Sequence, residues 1–163
     1  MSRIYISLGS NVDREHYVKA GLTALANVYE QLTLSSLFES EAVGFSGAAF
    51  YNLVIGIDTF DSVELVAEQL RIIEFTHGRA LDAKKYSPRT LDLDLLLYDD
   101  LIIDTPAQIP RNEITKNAFV LWPLAEIAGQ LIHPVLKISY QQLWQEYNKS
   151  SQKLRKVPLN WQP

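Results

Sequence analysis

The chain has 163 residues and 18.5 kDa, with 47% hydrophobic and 21% charged residues, enough to bury a sizeable core in a single domain over residues 1–163. It has no cysteine, which excludes disulfides, zinc ribbons, iron–sulfur clusters and thiol nucleophiles, and three scattered histidines (His16, His77, His133) argue against an all-histidine metal site. A formal charge of −4 and a pI near 5.3 weigh against a general nucleic-acid or membrane-surface binder.

The first apolar run, residues 4–8, meets Gly9-Ser10-Asn11 too early for a signal peptide. No window holds the roughly 18 uncharged apolar residues of a membrane span, and the composition fits a cytoplasmic protein. Residues 3–8 read as a strand with Ile4, Ile6 and Leu8 on one face. A helix is predicted over 14–28, capped by Asp13, with Val18, Leu22, Leu25 and Val28 as its stripe. A second strand is expected over 32–43, with Leu32, Leu34, Ser36 and Phe38 together, and then a loop at 44–47. Residues 50–59 alternate: Tyr51, Leu53, Ile55 and Ile57 face one way, and Phe50, Asn52, Val54 and Asp58 the other.

Asp61 and Glu64 suggest a capping box opening a helix over 62–76, with Val63, Val66, Leu70 and Ile73 buried and Gly78 ending it. A segment without strong structural signals, 79–88, leads into a strand over 91–98. There Leu91, Leu93, Leu95 and Leu97 are expected opposite Asp92, Asp94, Leu96 and Tyr98. A loop (105–116), a helix (118–128, stopped by Gly129) and a last helix (139–148) complete the chain. The tail from about 149 to 163 carries Lys149, Lys153, Arg155 and Lys156 and reads as solvated. The order βαββαβ predicts an α+β, ferredoxin-like fold: a four-stranded antiparallel sheet with two helices on one face, plus C-terminal helices.

Asp92 and Asp94 carry the chemistry. A strand repeats every two residues, so both carboxylates leave the same face, about 6.5 Å apart along the chain. An isolated Asp-x-Asp is more often a pair of ordinary surface charges. Here the opposite face is solid leucine and Arg79, Lys84, Lys85 and Arg89 cluster nearby in an acidic protein. That combination suits Mg²⁺ bridging carboxylates to a polyphosphate. Phe50 and Asn52 share the aspartates' face, where an aromatic and an amide suit a flat heterocycle.

Asn52, Glu74, Gly78-Arg79 and Pro88-Arg89-Thr90-Leu91-Asp92-Leu93-Asp94 strongly resemble the 6-hydroxymethyl-7,8-dihydropterin pyrophosphokinases of folate biosynthesis. Leu8-Gly9-Ser10-Asn11, Val43-Gly44-Phe45 with Phe50-Tyr51-Asn52, and Phe119-Val120-Leu121-Trp122-Pro123-Leu124 follow that family's pattern in order. The resemblance implies Mg²⁺-dependent transfer of diphosphate from ATP to the pterin hydroxymethyl group, giving AMP. It implies two Mg²⁺ ions on Asp92 and Asp94, with Arg79 and Arg89 steadying the phosphates as further catalytic residues. Ser40, Glu41, Val43, Phe50, Asn52 and Phe119 would receive the pterin, the two phenylalanines sandwiching its ring. Arg71, Glu74, Tyr86, Arg89, Leu95 and Arg111 would lie on the nucleotide. Small-molecule substrates, no nucleic-acid or membrane partner and a monomer are expected.

The family's pattern is altered on the nucleotide side, at Leu81-Asp82, Pro106, Arg111-Asn112 and Asn117. A weak pterin-binding paralogue therefore stays open beside the active enzyme, and so, because such folds often stack bases on an open sheet face, does a ferredoxin-like nucleic-acid or regulatory module. The loops at 44–47 and 80–87 are expected to close over bound ligands.

Overall fold

The computed structural model describes residues 1–40, 49–78 and 90–163. The elements follow the order β1 (Ser2–Ser10), α1 (Arg14–Tyr29), β2 (Thr33–Leu34), β3 (Leu37–Ser40), β4 (Phe50–Thr59), α2 (Val63–Thr76), β5 (Asp92–Tyr98), α3 (Glu113–Lys116), α4 (Ala118–Ala128), α5 (Tyr140–Glu146) and β6 (Leu154–Val157). They build an open antiparallel sheet of six strands with helices on both faces. Its order is β5-β1-β4-β3-β6, with β2 also paired to β4.

The sheet therefore has two more strands than the sequence suggested. The stretch expected as one strand over 32–43 is split into β2 and β3 by Ser35 and Ser36. Ser35 Oγ accepts the Val54 N–H at 2.9 Å, so a side chain replaces a ladder bond at the break. The second addition comes from the tail read as solvated: Leu154–Val157 pairs with all of β3.

Period-two alternation places Ile4, Ile6, Leu8, Leu53, Ile55, Ile57, Leu93 and Leu95 against α1 and α2. In α2 the stripe Val63, Val66, Leu70 and Ile73 is buried as its spacing predicts, each side chain contributing roughly 1.5–3 kcal/mol. Ser62, one residue beyond the expected Asp61, caps this helix by accepting the Leu65 N–H at 3.2 Å. In α1 the stripe is Val18, Gly21, Leu22 and Leu25, while Val28 is exposed. Asp13 precedes α1 in a left-handed conformation (φ 44°) and makes no side-chain cap.

The other face buries Tyr5, Val54, Leu96 and Leu97 under α3, α4 and α5. Leu97 was expected on the opposite side. The register explains the switch: Ile6 pairs with Leu95 and Tyr5 with Leu97, leaving Leu96 as an extra residue in a bulge. The alternation reverses there, so Leu96 and Leu97 both enter the second core while Tyr98 packs against the first.

Candidate active site

The strand register lines up Asp92, Gly9, Asn52 and Phe38 as one row across β5, β1, β4 and β3. Directly opposed residues share a face. Asp92 and Asn52 thus project from the same side, two strands and about 10 Å apart at typical strand spacing. The adjacent row holds Asp94, Ser7 and Val54. This is the face that α3–α5 cover farther along the sheet, so it is not open throughout. At this end Asp92, Asp94 and Phe50 stay half-buried.

Glycine at position 9 shapes the floor between aspartate and amide. A Cβ there would lie 2.7 Å from Asn52 Oδ1. Asn52 is buried, and its Nδ2 donates to Ser40 Oγ at 3.2 Å, so the amide is held from two sides. Ser40, itself buried, ends β3 opposite Phe50. Phe119 enters from the first turn of α4 and packs against the second core. The structure thus gathers Ser40, Phe50 and Asn52 at one end of this face, where the sequence assigned a pterin, while Phe119 lies at the start of α4, which packs on the same face.

On the other side of the row, Arg111 reaches Asp94. Its backbone N–H donates to the carbonyl of Leu96, the bulge residue, at 3.1 Å. Its Nη2 lies 3.3 Å from Asp94 Oδ1 and its Nε 3.1 Å from Glu113 Oε2. Glu74, on α2, accepts the N–H of Leu93 at 2.8 Å, on the residue between the two aspartates. Leu95 turns its side chain into the core under α1 and α2, away from the aspartates' face. Arg71 is exposed on α2. Gly78 has φ 95°, and a Cβ there would lie 3.5 Å from Thr90 Oγ1, so Gly78 meets Thr90, two residues before Asp92 in the chain.

Glu41, Val43, Arg79, Tyr86 and Arg89 lie outside the described residues, as do the two expected closing loops and Leu81-Asp82. Of the other altered positions, Arg111 supplies positive charge beside Asp94. Asn117 Oδ1 accepts from Gln152 Nε2 at 3.1 Å.

Charge on the β3 side is concentrated at Glu39, which takes both Arg155 and Arg14. The Arg155 bond, seconded by Arg14, holds the Glu39 carboxyl below its ordinary range although burial pushes the other way. Arg14 also donates to the Ala49 carbonyl at 3.0 Å and stacks 3.9 Å from the Tyr51 ring centre. Sequence reasoning missed Gly9 as the floor, Glu39 and Gln152. A glycine inside an otherwise apolar strand was the available signal for Gly9; Glu39 and Gln152 depend on contacts far apart in the chain.

Asp92 and Asp94 offer hard carboxylate oxygens on a rigid strand, half-exposed and close to a glycine and a serine, a donor set that suits Mg²⁺. Among the described residues no group of three or more His, Cys, Asp or Glu could hold a metal, so such an ion would complete its shell with phosphate and water oxygens.

Residues 5–129 match the family described as 7,8-dihydro-6-hydroxymethylpterin-pyrophosphokinase (HPPK). The chain is 33% identical over 140 residues to the 2-amino-4-hydroxy-6-hydroxymethyldihydropteridine pyrophosphokinase of Aquifex aeolicus, covering 84% of this chain and 87% of that one. The like-named proteins of Pseudomonas aeruginosa (34%, covering 82% and 85%) and Bacillus subtilis (37%, covering 78% of each) are similar. Among solved structures, an HPPK-DHPS in complex with substrates superposes with a TM-score of 0.71 at 11% identity, over 92% of this chain and 44% of that one. Wild-type Plasmodium falciparum HPPK-DHPS superposes at 0.68 and 14%, over 92% and 46%. These two likenesses concern the fold, and this chain spans less than half the length of either.

Proposed function

The chain belongs to the HPPK family, the pyrophosphokinases of folate biosynthesis, and on that premise we propose how its residues divide the work. The reaction joins the hydroxymethyl oxygen of 6-hydroxymethyl-7,8-dihydropterin to the β-phosphorus of ATP. The bond between that phosphorus and the oxygen leading to the α-phosphate breaks, AMP departs and the hydroxyl proton passes to solvent. Residues 1–163 act as one domain, built on a ferredoxin-like βαββαβ core to which β6 and α3–α5 are added.

Asn52 binds the pterin edge, held in place by Ser40 and by the glycine floor at position 9. Phe50 and Phe119 hold the ring from its two faces, and residues 40–43 finish the pocket. Asp92 and Asp94 would hold two Mg²⁺ ions, which supply charge screening and polarise the phosphorus under attack. Arg111 stands beside Asp94 to meet phosphate charge. Glu74 fixes the backbone between the aspartates and lies with Arg71 toward the nucleotide, which Leu95, its side chain buried in the core, would meet only through its backbone; Tyr86, Arg79 and Arg89 are assigned there by the sequence motif.

Phosphoryl transfer asks chiefly for alignment and electrostatic stabilisation, and this arrangement supplies both from rigid strands. The observation that carries the reading is the single row Asp92–Gly9–Asn52. It sets a carboxylate and an amide on one face, a short molecular span apart, which supports a cation site beside a heterocycle site. The test is release of AMP from ATP, Mg²⁺ and the hydroxymethyl pterin. Asp94→Ala should abolish it while the urea unfolding curve stays cooperative. Undiminished turnover by that variant would end the reading.

A further inference from the structure

The C-terminal tail does more than complete the sheet. Gln152 sits at the start of α4: its Oε1 accepts the Ala118 N–H at 2.8 Å, and its Nε2 donates to Asn117 Oδ1 at 3.1 Å and faces the Lys116 carbonyl at 3.4 Å. Asn117 precedes α4 in an extended conformation and makes no side-chain cap of its own. A side chain from 34 residues away in sequence therefore satisfies one of the N–H groups that the helix start leaves without an intrahelical partner. Phe119 is the next residue after Ala118.

Two residues beyond Gln152 the chain becomes β6. Leu154 pairs with Ser40, and Arg155 grips Glu39 through Nε at 2.8 Å and Nη2 at 2.6 Å. Lys156 pairs with Glu126 of α4 at 3.0 Å and lies 5.5 Å from the Trp122 ring centre. Five consecutive residues, 152–156, thus tie the first turn of α4 to the end of β3, where Ser40 holds Asn52.

From this juxtaposition we infer that Gln152 is a positioning residue for pterin binding. It sets the angle and depth of Phe119 relative to the Ser40–Asn52 side, so that the two ring-facing walls stay a fixed distance apart. The inference rests on the reading of Phe119 and Asn52 as pterin contacts. It adds a residue outside the 5–129 span that matches the family.

The experiment uses the full chain and four proteins: wild type, Gln152→Ala, Phe119→Ala and the double variant. Steady-state constants are measured for pterin and for ATP separately. Gln152→Ala should raise the pterin KM about 5- to 10-fold while the ATP KM and kcat stay within twofold. That split would not follow from a general loss of folded protein, which lowers apparent kcat alone. Gln152→Glu keeps an acceptor for the Ala118 N–H, favoured by the helix dipole, but turns its second oxygen toward Asn117 Oδ1 and the Lys116 carbonyl, so it should recover only part of the loss. In the Phe119→Ala background, Gln152→Ala should add less than twofold, because the residue it steers is gone.

A pterin KM for Gln152→Ala within twofold of wild type, beside a large effect of Phe119→Ala, would overturn the inference and leave the pterin assignment standing. Full additivity would overturn it by showing that Gln152 does not act through Phe119. No effect of Phe119→Ala itself would refute the pterin assignment, and the inference with it.

Discussion

Substituting Gly9 by alanine isolates the floor of the site from its metal and phosphate side. The new Cβ would sit 2.7 Å from Asn52 Oδ1, whereas ordinary contact begins at 3.4 Å, so the amide must retreat by about 0.7 Å. It has little room. Asn52 is buried and its Nδ2 already spans 3.2 Å to Ser40 Oγ, a bond that such a retreat breaks or misaligns. Loss of one well-placed hydrogen bond costs about 0.5–1.5 kcal/mol. The displaced amide is also misaligned for the pterin edge; a bond of that size lost in binding is a factor of roughly 2–13, and we expect pterin affinity to fall about 3- to 10-fold.

For the fold, alanine regains about 0.5–1 kcal/mol of the backbone entropy that glycine loses in a strand, which offsets most of the broken Asn52–Ser40 bond. Calorimetric titration with pterin and with a non-hydrolysable ATP analogue in Mg²⁺, beside urea unfolding, separates the terms. Pterin affinity within 1.5-fold of wild type would refute the reasoning. So would a loss of nucleotide affinity as large as the loss of pterin affinity.

Arg111→Gln removes the guanidinium from Asp94. For this partly exposed pair the unfolding free energy should fall by less than about 1 kcal/mol, while Mn²⁺ binding without nucleotide strengthens and the ATP KM rises. Equal Mn²⁺ affinities, read by electron paramagnetic resonance, would show that the arginine does not compete for the carboxylate. Glu39→Gln tests the charge cluster at β3. Because Arg155 holds the native carboxyl below its ordinary range, the contribution of Glu39 is complete above the unfolded-state value of about 4.3. It is lost as pH falls through the folded-state value. Urea unfolding between pH 7 and pH 3 should therefore be less stable for the variant at pH 7, with the gap closing toward pH 3. A pH-independent gap would contradict this.

Local periodicity made much of the fold legible. The alternation of β4 and the stripe of α2 each follow from a repeat within one element, and Asp92, Asp94 and Asn52 share a face as counting a strand's two faces predicts. The bulge at Leu96 was not legible, since a run of leucines reads equally well in either register. Leu154-Arg155-Lys156-Val157 gave no strand signal, being short and half charged; its pairing depends on β3, over a hundred residues earlier. The Arg111–Asp94 contact hangs on that bulge and was hidden with it. Helix starts slipped by one residue at Ser62 because aspartate and serine are both good caps and stand side by side.

The two margins of the sheet are closed by different means. On one border Glu74 already occupies the outward-facing amide of Leu93. On the other, a four-residue strand bearing Arg155 and Lys156 presents charge where a neighbouring molecule would have to dock. A sheet finished this way offers little template for adding a foreign strand, and it should resist the edge-to-edge stacking by which open sheets polymerise.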